Sequence, residues 1–396
     1  MTKKEIIDAA FRVWGRNFYR KTSLSQLARE LGVSKPALYR HFENKQALTT
    51  AMAEHFMEDF ADSIKADFDK ALKAKDADEG ISFIISSISD YFARNAYALI
   101  FSLINIYARN LDKNTIVQRL KERNVDLDAL QIIIMKKYAG NPVLIRLIFA
   151  TLTFFMSHYH KTRKTMETPL TEEEIKSITM NICKTIESGL GYSAGSIMHN
   201  FDELELLIKK MKLNAEPEPF FKAVAEAVAE AGPWEVSMEM VAKKIGLSKS
   251  SLYGHFKNKK DMLRRLFVTE FKRIIEFARQ GINLSANTAE QLYLGIFSIA
   301  VYLRSRPEIL IAMDWIRTRK LELGKPENQV EIFRLFEDVD IEPIKNSAED
   351  EKQRISHWIL FMLINILTIH PKKETQSDCI RVLYKFVTLG LGGFKK

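Results

Sequence analysis

A stretch of 23 residues occurs twice in this chain, 214 positions apart and without a gap. Residues 23–45 read SLSQLARELGVSKPALYRHFENK, and residues 237–259 read SMEMVAKKIGLSKSSLYGHFKNK. Eleven positions are identical: Ser23/Ser237, Ala28/Ala242, Gly32/Gly246, Ser34/Ser248, Lys35/Lys249, Leu38/Leu252, Tyr39/Tyr253, His41/His255, Phe42/Phe256, Asn44/Asn258 and Lys45/Lys259. Leu24/Met238, Leu27/Val241, Leu31/Ile245 and Val33/Leu247 differ but stay apolar. Upstream, Ile6, Ile7, Ala10, Phe11 and Trp14 fall in register with Phe220, Phe221, Val224, Ala225 and Val228. Bulk changes place between Ala10-Phe11 and Val224-Ala225, as in a shared core that has drifted at nearly constant volume. The ends match weakly at an offset of 201, Ser188-Gly189-Leu190-Gly191 against Leu389-Gly390-Leu391-Gly392. A repeat of this kind demands one local fold twice, with the division near residue 200.

That fold is helical. Only 16 glycines and 10 prolines occur in 396 residues, too few for a turn-rich β-sandwich or barrel. Apolar residues make up 46% and charged residues 28%, a composition that excludes wholesale disorder. Cys183 and Cys379 are too few for a disulfide framework or a cysteine-rich metal site, which fits a reducing cytosol. Met1-Thr2-Lys3-Lys4-Glu5 leads straight into a helical pattern, so no signal peptide is expected. The most apolar stretches are Val143–Ser157, interrupted by Arg146, and Trp358–Ile369, both short of the ~18 residues of a membrane span. A cytoplasmic protein without a membrane partner is expected. The net charge of +9 permits a polyanionic partner.

Each copy reads as three short helices. The first covers about residues 3–16 and 217–230, with apolar positions on one face of a 3.6-residue period. Ser23 and Ser237 are N-caps for the second helix, and Gln26 completes a capping-box pattern in the first copy only. Gly32 and Gly246 stand where a left-handed residue ends that helix. Ser34 and Ser248 then cap a third helix, about 35–41 and 249–255, with Pro36 in its harmless first turn. Helix, glycine turn and capped helix make a helix-turn-helix, whose second helix lies in the major groove. The residues at base edges would be Lys35, Pro36 and Ala37, then Tyr39 and Arg40; in the second copy, Lys249, Ser250 and Ser251, then Tyr253 and Gly254. Lysine suits guanine acceptors, serine several bases, and alanine or proline a thymine methyl. Tyr39, His41, Lys45 and their counterparts Tyr253, His255 and Lys259 suit phosphate oxygens.

Both copies resemble the DNA-binding domain of the TetR (tetracycline-repressor-like) regulators. The resemblance rests on G-[VL]-S-K-x-x-L-Y-x-H-F-x-N-K, in Gly32–Lys45 and Gly246–Lys259, preceded by Ser-x-x-x-[Leu/Val]-Ala. It covers roughly residues 3–50 and 217–264. It implies an all-α chain of two tandem modules, each a three-helix DNA-binding domain followed by a helical effector and dimerisation domain. The expected divisions are 1–50, 51–200, a linker 201–216 with a helix over 202–213, 217–264, and 265–396. The resemblance also implies a repressor released from a double-stranded DNA operator by a small ligand. It carries DNA contact over to Lys35, Pro36, Ala37, Tyr39, Arg40, His41 and Lys45, and to Lys249, Ser250, Ser251, Tyr253, Gly254, His255 and Lys259.

The two copies are unequal in charge. Residues 1–50 carry ten lysines and arginines against four acids, net +6; residues 213–262 carry seven against seven. The first head is therefore expected to bind DNA more strongly. The remaining segments are rich in aromatics, among them Tyr91, Phe92, Tyr97, Phe101, Tyr107 and Phe154, then Tyr293, Tyr302, Trp315, Phe333 and Trp358. They read as helical core or as walls of a small apolar ligand pocket. Val143–Lys161 with Glu172–Glu187, and Arg354–Ile369 with Ser377–Leu389, look like two pairs of closing helices. On one chain, these would form an intrachain pseudo-dimer able to read an asymmetric site. His158 and His160 are two residues apart on a helix and diverge, so no metal site is expected. No phosphate loop, nucleophile motif or cofactor signature occurs, so the chain does not read as an enzyme. The competing reading is a small-molecule sensor or sequence-indifferent architectural protein with one degenerate head.

Overall fold

The computed structural model of the protein describes residues 1–16, 19, 23–107, 113–138, 141–162, 168–192, 200–212, 219–319, 336, 349–368 and 376–394. Tyr107, Trp315 and Phe333 fall outside the described side chains. No strand occurs among the described residues. Two compact units form: residues 1–145 with 152–184, and residues 146–151 with 185–394.

The first unit begins with α1 (Lys3–Arg16), α2 (Leu24–Glu30) and α3 (Lys35–Tyr39), then runs into α4 (Lys45–Leu72). Asn44 caps α4 by accepting from the Ala47 amide at 2.9 Å. α5 (Ala77–Arg94) lies antiparallel on α4, and their shared face is aromatic. Phe56 and Phe60 stack at 5.6 Å, Phe60 stacks on Phe92 at the same distance, and Tyr91 meets Phe60 edge-on at 5.0 Å. Such pairs add ~0.5–1.5 kcal/mol each beyond their burial. α6 (Ala96–Phe101) continues as a π-helical segment, Ser102–Tyr107. α7 (Lys113–Lys121) is tied to α4 through Glu54, which accepts from Arg119 at 2.6 Å. α8 (Leu127–Lys137), α9 (Pro142–Thr162) and α10 (Glu172–Ser188) follow.

α9 corrects the reading that no stretch reaches spanning length. Arg146 does not interrupt it, and Pro142–His160 is long and apolar enough to cross a membrane, with mean hydropathy 1.3. Of that window, 56% is buried against the rest of the chain, which is the environment of a core helix. His160 and His158 diverge along it: His160 Nε2 lies 2.9 Å from the Phe92 carbonyl, while His158 stacks on Phe154.

The second unit opens with α11 (Phe201–Lys210), followed by α12 (Pro219–Glu235), α13 (Met238–Lys244), α14 (Lys249–His255), α15 (Lys259–Ile282), α16 (Thr288–Arg304), α17 (Pro307–Arg319), α18 (Glu349–Thr368) and α19 (Gln376–Leu389). The linker helix is shorter than its amphipathic pattern suggested, and it is not a free spacer. Phe201, Leu204, Glu205 and Ile208 are buried. Glu205 accepts from Tyr293 at 2.7 Å, Ser377 at 2.7 Å and Arg381 at 2.8 Å. Burial pushes its pKa up, but these donors outweigh that and hold the carboxyl below its usual range. Residues 213–218 lie outside the described residues.

The two matching glycine ends also meet within this unit. Leu190 N donates to the Val387 carbonyl at 2.7 Å, and Tyr192 N to that of Thr388 at 3.0 Å. Gly189 (φ 56°) and Gly390 (φ 59°) are left-handed, and a Cβ on either would run into the backbone of the other strand of this crossing. Nearby, the Trp358 indole donates to Thr151 Oγ1 at 3.0 Å, a bond between two side chains buried in the same unit.

Candidate nucleic-acid interface

The two heads are built alike, from the same local devices. Ser23 and Ser237 accept from Gln26 N and Met240 N at 3.0 and 3.1 Å. Gly32 and Gly246 take φ of 65° and 68°, values that strain any residue with a Cβ. Past them, Val33 N returns to Ala28 O at 3.0 Å and Leu247 N to Ala242 O at 2.9 Å. Ser34 and Ser248 then cap the recognition helices through Ala37 N and Ser251 N. The first recognition helix is assigned only over Lys35–Tyr39, shorter than expected, and the second over Lys249–His255 as expected.

Burial sorts the repeated motif into two sets. Leu38 and Leu252 are fully buried, and Phe42 and Phe256 nearly so. Lys35, Pro36, Tyr39, Arg40 and Lys45 are exposed, and Ala37 and His41 half-buried. In the second head Lys249, Ser250, Ser251, Tyr253, Gly254 and His255 are exposed, and Lys259 half-buried. Tyr39 and Tyr253 keep 44% and 49% of their surface, too much for core tyrosines. Burial holds the Lys259 ammonium below the usual lysine range. Sequence reasoning missed Asn44 and Asn258 as caps. Asn258 accepts from Asp261 N at 2.9 Å, as Asn44 does from Ala47 N. Their identity in both copies was the available signal.

The heads part company in their charges. Lys35 Nζ sits 5.7 Å over the Tyr39 ring, and neither Lys35 nor Arg40 has a carboxylate within 4 Å among the described residues. Lys249 instead lies 3.8 Å from Glu239, where the first copy has Ser25. Lys244 is paired with Glu230 at 2.6 Å, and Arg264 and Arg265 lean on Asp261 at 3.4 and 3.3 Å. Lys244, Lys249, Arg264 and Arg265 are thus each paired with an acid of the second head. At Gly254, in register with Arg40, an added Cβ meets nothing within 4 Å. Gly254→Arg should therefore fold normally. As a counterpart of Arg40, its charge is expected to tighten operator binding about tenfold, from the ~1–3 kcal/mol of one groove contact. A fluorescence-anisotropy titration against a site selected by the intact chain from a random DNA pool checks this.

A family model for bacterial regulatory proteins of the tetR family matches residues 6–52 and again residues 221–266. The chain carries two TetR-family helix-turn-helix domains in tandem. Among curated relatives, the fatty acid metabolism regulator protein of Bacillus subtilis (strain 168) is 26% identical over 108 residues, 27% of this chain and 54% of that protein. The uncharacterized HTH-type transcriptional regulator YerO of the same organism is 33% identical over 55 residues, 14% of this chain and 19% of that protein. The chain thus spans about half the length of the first relative and a fifth of the second. A solved structure, the fatty acid degradation regulator FadR from Bacillus halodurans, is 17% identical with a TM-score of 0.34, covering 45% of this chain and 98% of its own. The TetR-family domains are DNA-binding domains of transcription regulators.

Proposed function

We propose that this protein is a ligand-responsive transcriptional repressor that reads an asymmetric operator through two unequal heads on one chain. The observation that carries this reading is the divergence of the heads at matched positions: Lys35 and Arg40 without acid partners, against Lys249 beside Glu239 and Gly254 without a side chain. A homodimer cannot diverge in this way, because its two heads share one sequence. In this reading Lys35, Pro36, Ala37, Tyr39, Arg40, His41 and Lys45 meet one half-site, and Lys249, Ser250, Ser251, Tyr253, Gly254, His255 and Lys259 the other. The pairing of Gly189 with Gly390 supports an intrachain pseudo-dimer, with divisions near residues 50, 200, 216 and 264, acting in the cytoplasm.

The heads would then sit about one helical turn of DNA apart, ~34–36 Å, or a multiple of it. Sedimentation equilibrium tests the arrangement. The expected species, free and on DNA, contains one chain of 45.7 kDa. A stable two-chain species on one operator would overturn the pseudo-dimer. Binding should also weaken steeply with salt, as phosphate contacts require. The self-paired cations of the second head favour one alternative, a chain in which only the first head reads sequence; a selected site with a single conserved half would show it.

A further inference from the structure

In the first unit a cleft of about 520 Å³ opens where α1 meets α4 and the corner between α5 and α6. One face of α1 forms a wall and presents Phe11, Arg12 and Arg16; Phe56 and Tyr97 stand among the opposing residues. α1 is held close there, since a Cβ on Gly15 would lie 2.6 Å from Tyr97 Cδ1. The cleft's two carboxylates are engaged: Asp8 lies 3.4 Å from His55, and Asp59 accepts from the Tyr91 hydroxyl at 2.9 Å. Arg12 is exposed and has no carboxylate within 4 Å among the described residues. The cleft is aromatic with a cationic rim.

The second module differs at the matching positions. At the constant offset of 214, Glu270 stands in register with Phe56, and Glu226 and Glu230 with Arg12 and Arg16. Glu270 is buried at 1% exposure and accepts from Tyr302 at 2.8 Å, from Arg306 at 3.0 Å and from Arg273 at 3.2 Å. Arg306 directly precedes α17, as the Arg94–Asn95 pair precedes α6. The second module thus carries a built-in carboxylate clasped by guanidinium and phenol groups. It also carries acids where the first carries arginines.

We propose that the first module's cleft binds an organic carboxylate with a flat apolar body, its anion at Arg12 and Arg16 and its body against Phe11, Phe56 and Tyr97, and that the second module, with acids in place of both arginines, lacks this site. Two guanidiniums one turn apart suit a carboxylate, through forked, charge-assisted hydrogen bonds. The cleft joins a head helix to the effector core. A ligand that prefers one orientation of the head therefore shifts DNA affinity, and DNA shifts ligand affinity by the same factor. That consequence rests on the DNA-binding reading above; the binding itself does not.

Calorimetric titration of the full chain with 2-naphthoate, and in parallel with 2-naphthylmethylammonium, tests the site. The expected result is one naphthoate bound per chain and little ammonium. Arg12→Gln with Arg16→Gln should weaken naphthoate tenfold or more. Arg12→Glu with Arg16→Glu should lose naphthoate and gain the ammonium, a gain that misfolding cannot produce. No naphthoate binding in the millimolar range, an equal or tighter ammonium, or naphthoate binding indifferent to both double variants would overturn the proposal. Naphthoate bound as expected but without effect on operator affinity would leave the site standing and remove its regulatory role.

Discussion

Replacing Lys35 and Tyr39 together by alanine is expected to weaken operator binding by the full chain about a hundredfold, while the matched pair Lys249→Ala with Tyr253→Ala costs about tenfold. Each lost groove or phosphate contact is worth ~1–3 kcal/mol, and 1.4 kcal/mol is a factor of ten. Both pairs are exposed, so stability should change by less than ~0.5 kcal/mol per substitution. The difference between the heads comes from what each lysine does without DNA. Lys35 lies over Tyr39, and the two form one cationic platform. Lys249 lies 3.8 Å from Glu239, an exposed pair whose attraction of ~0–1 kcal/mol is given up when the lysine turns to a phosphate or base. Anisotropy titrations at two salt concentrations decide the matter. Equal losses in the two heads would contradict the asymmetry on which the functional reading stands.

Glu270→Ala is expected to destabilise the second module by ~3–5 kcal/mol, because it breaks the buried ion pair with Arg306. Arg306 is 6% exposed and has Glu270 as its carboxylate partner, with the Tyr302 hydroxyl at 2.7 Å and its ring below. Exchanging both Glu270 and Arg306 for methionine should recover most of that loss, since a well-packed apolar pair is often as stable as a buried ion pair. In the first unit Arg94→Ala removes exposed bridges to Asp90 and Glu172 and should cost only ~0–1 kcal/mol. Urea unfolding followed by tryptophan fluorescence and by circular dichroism separates these outcomes. A small loss for Glu270→Ala would mean that the carboxylate is wetter than its burial indicates.

Much of each head was legible in the chain itself. Capping serines, left-handed glycines and the alternation of buried and exposed positions are local devices, decided within four residues. They recur in both copies because the same short sequence dictates them. What was not legible depends on partners far along the chain. The amphipathic pattern of α11 announced a helix but not its docking, which depends on Glu205 meeting Tyr293 and Arg381, 88 and 176 residues away. Arg146 looked like an interruption because hydropathy is read along a line, whereas a helix distributes its residues around an axis. The charge reversal from Arg12 and Arg16 to Glu226 and Glu230 was visible as composition. That Arg12 and Arg16 line a cleft depends on how α1 packs against α4 and α6. The polar partner of the second module, Glu270, stands where the repeat has an aromatic, and periodicity alone could not tell a core position from a buried ion pair.

We propose that one chain reads DNA with two working but unequal heads. This is tested most directly by selecting bound sequences from a random DNA pool with the intact chain and with a full-length variant carrying Lys249→Ala and Tyr253→Ala. The intact chain should enrich one site with two dissimilar halves, and the variant should keep one half while losing sequence preference in the other. A strict palindrome from the intact chain, or no enriched sequence at all, would contradict the account.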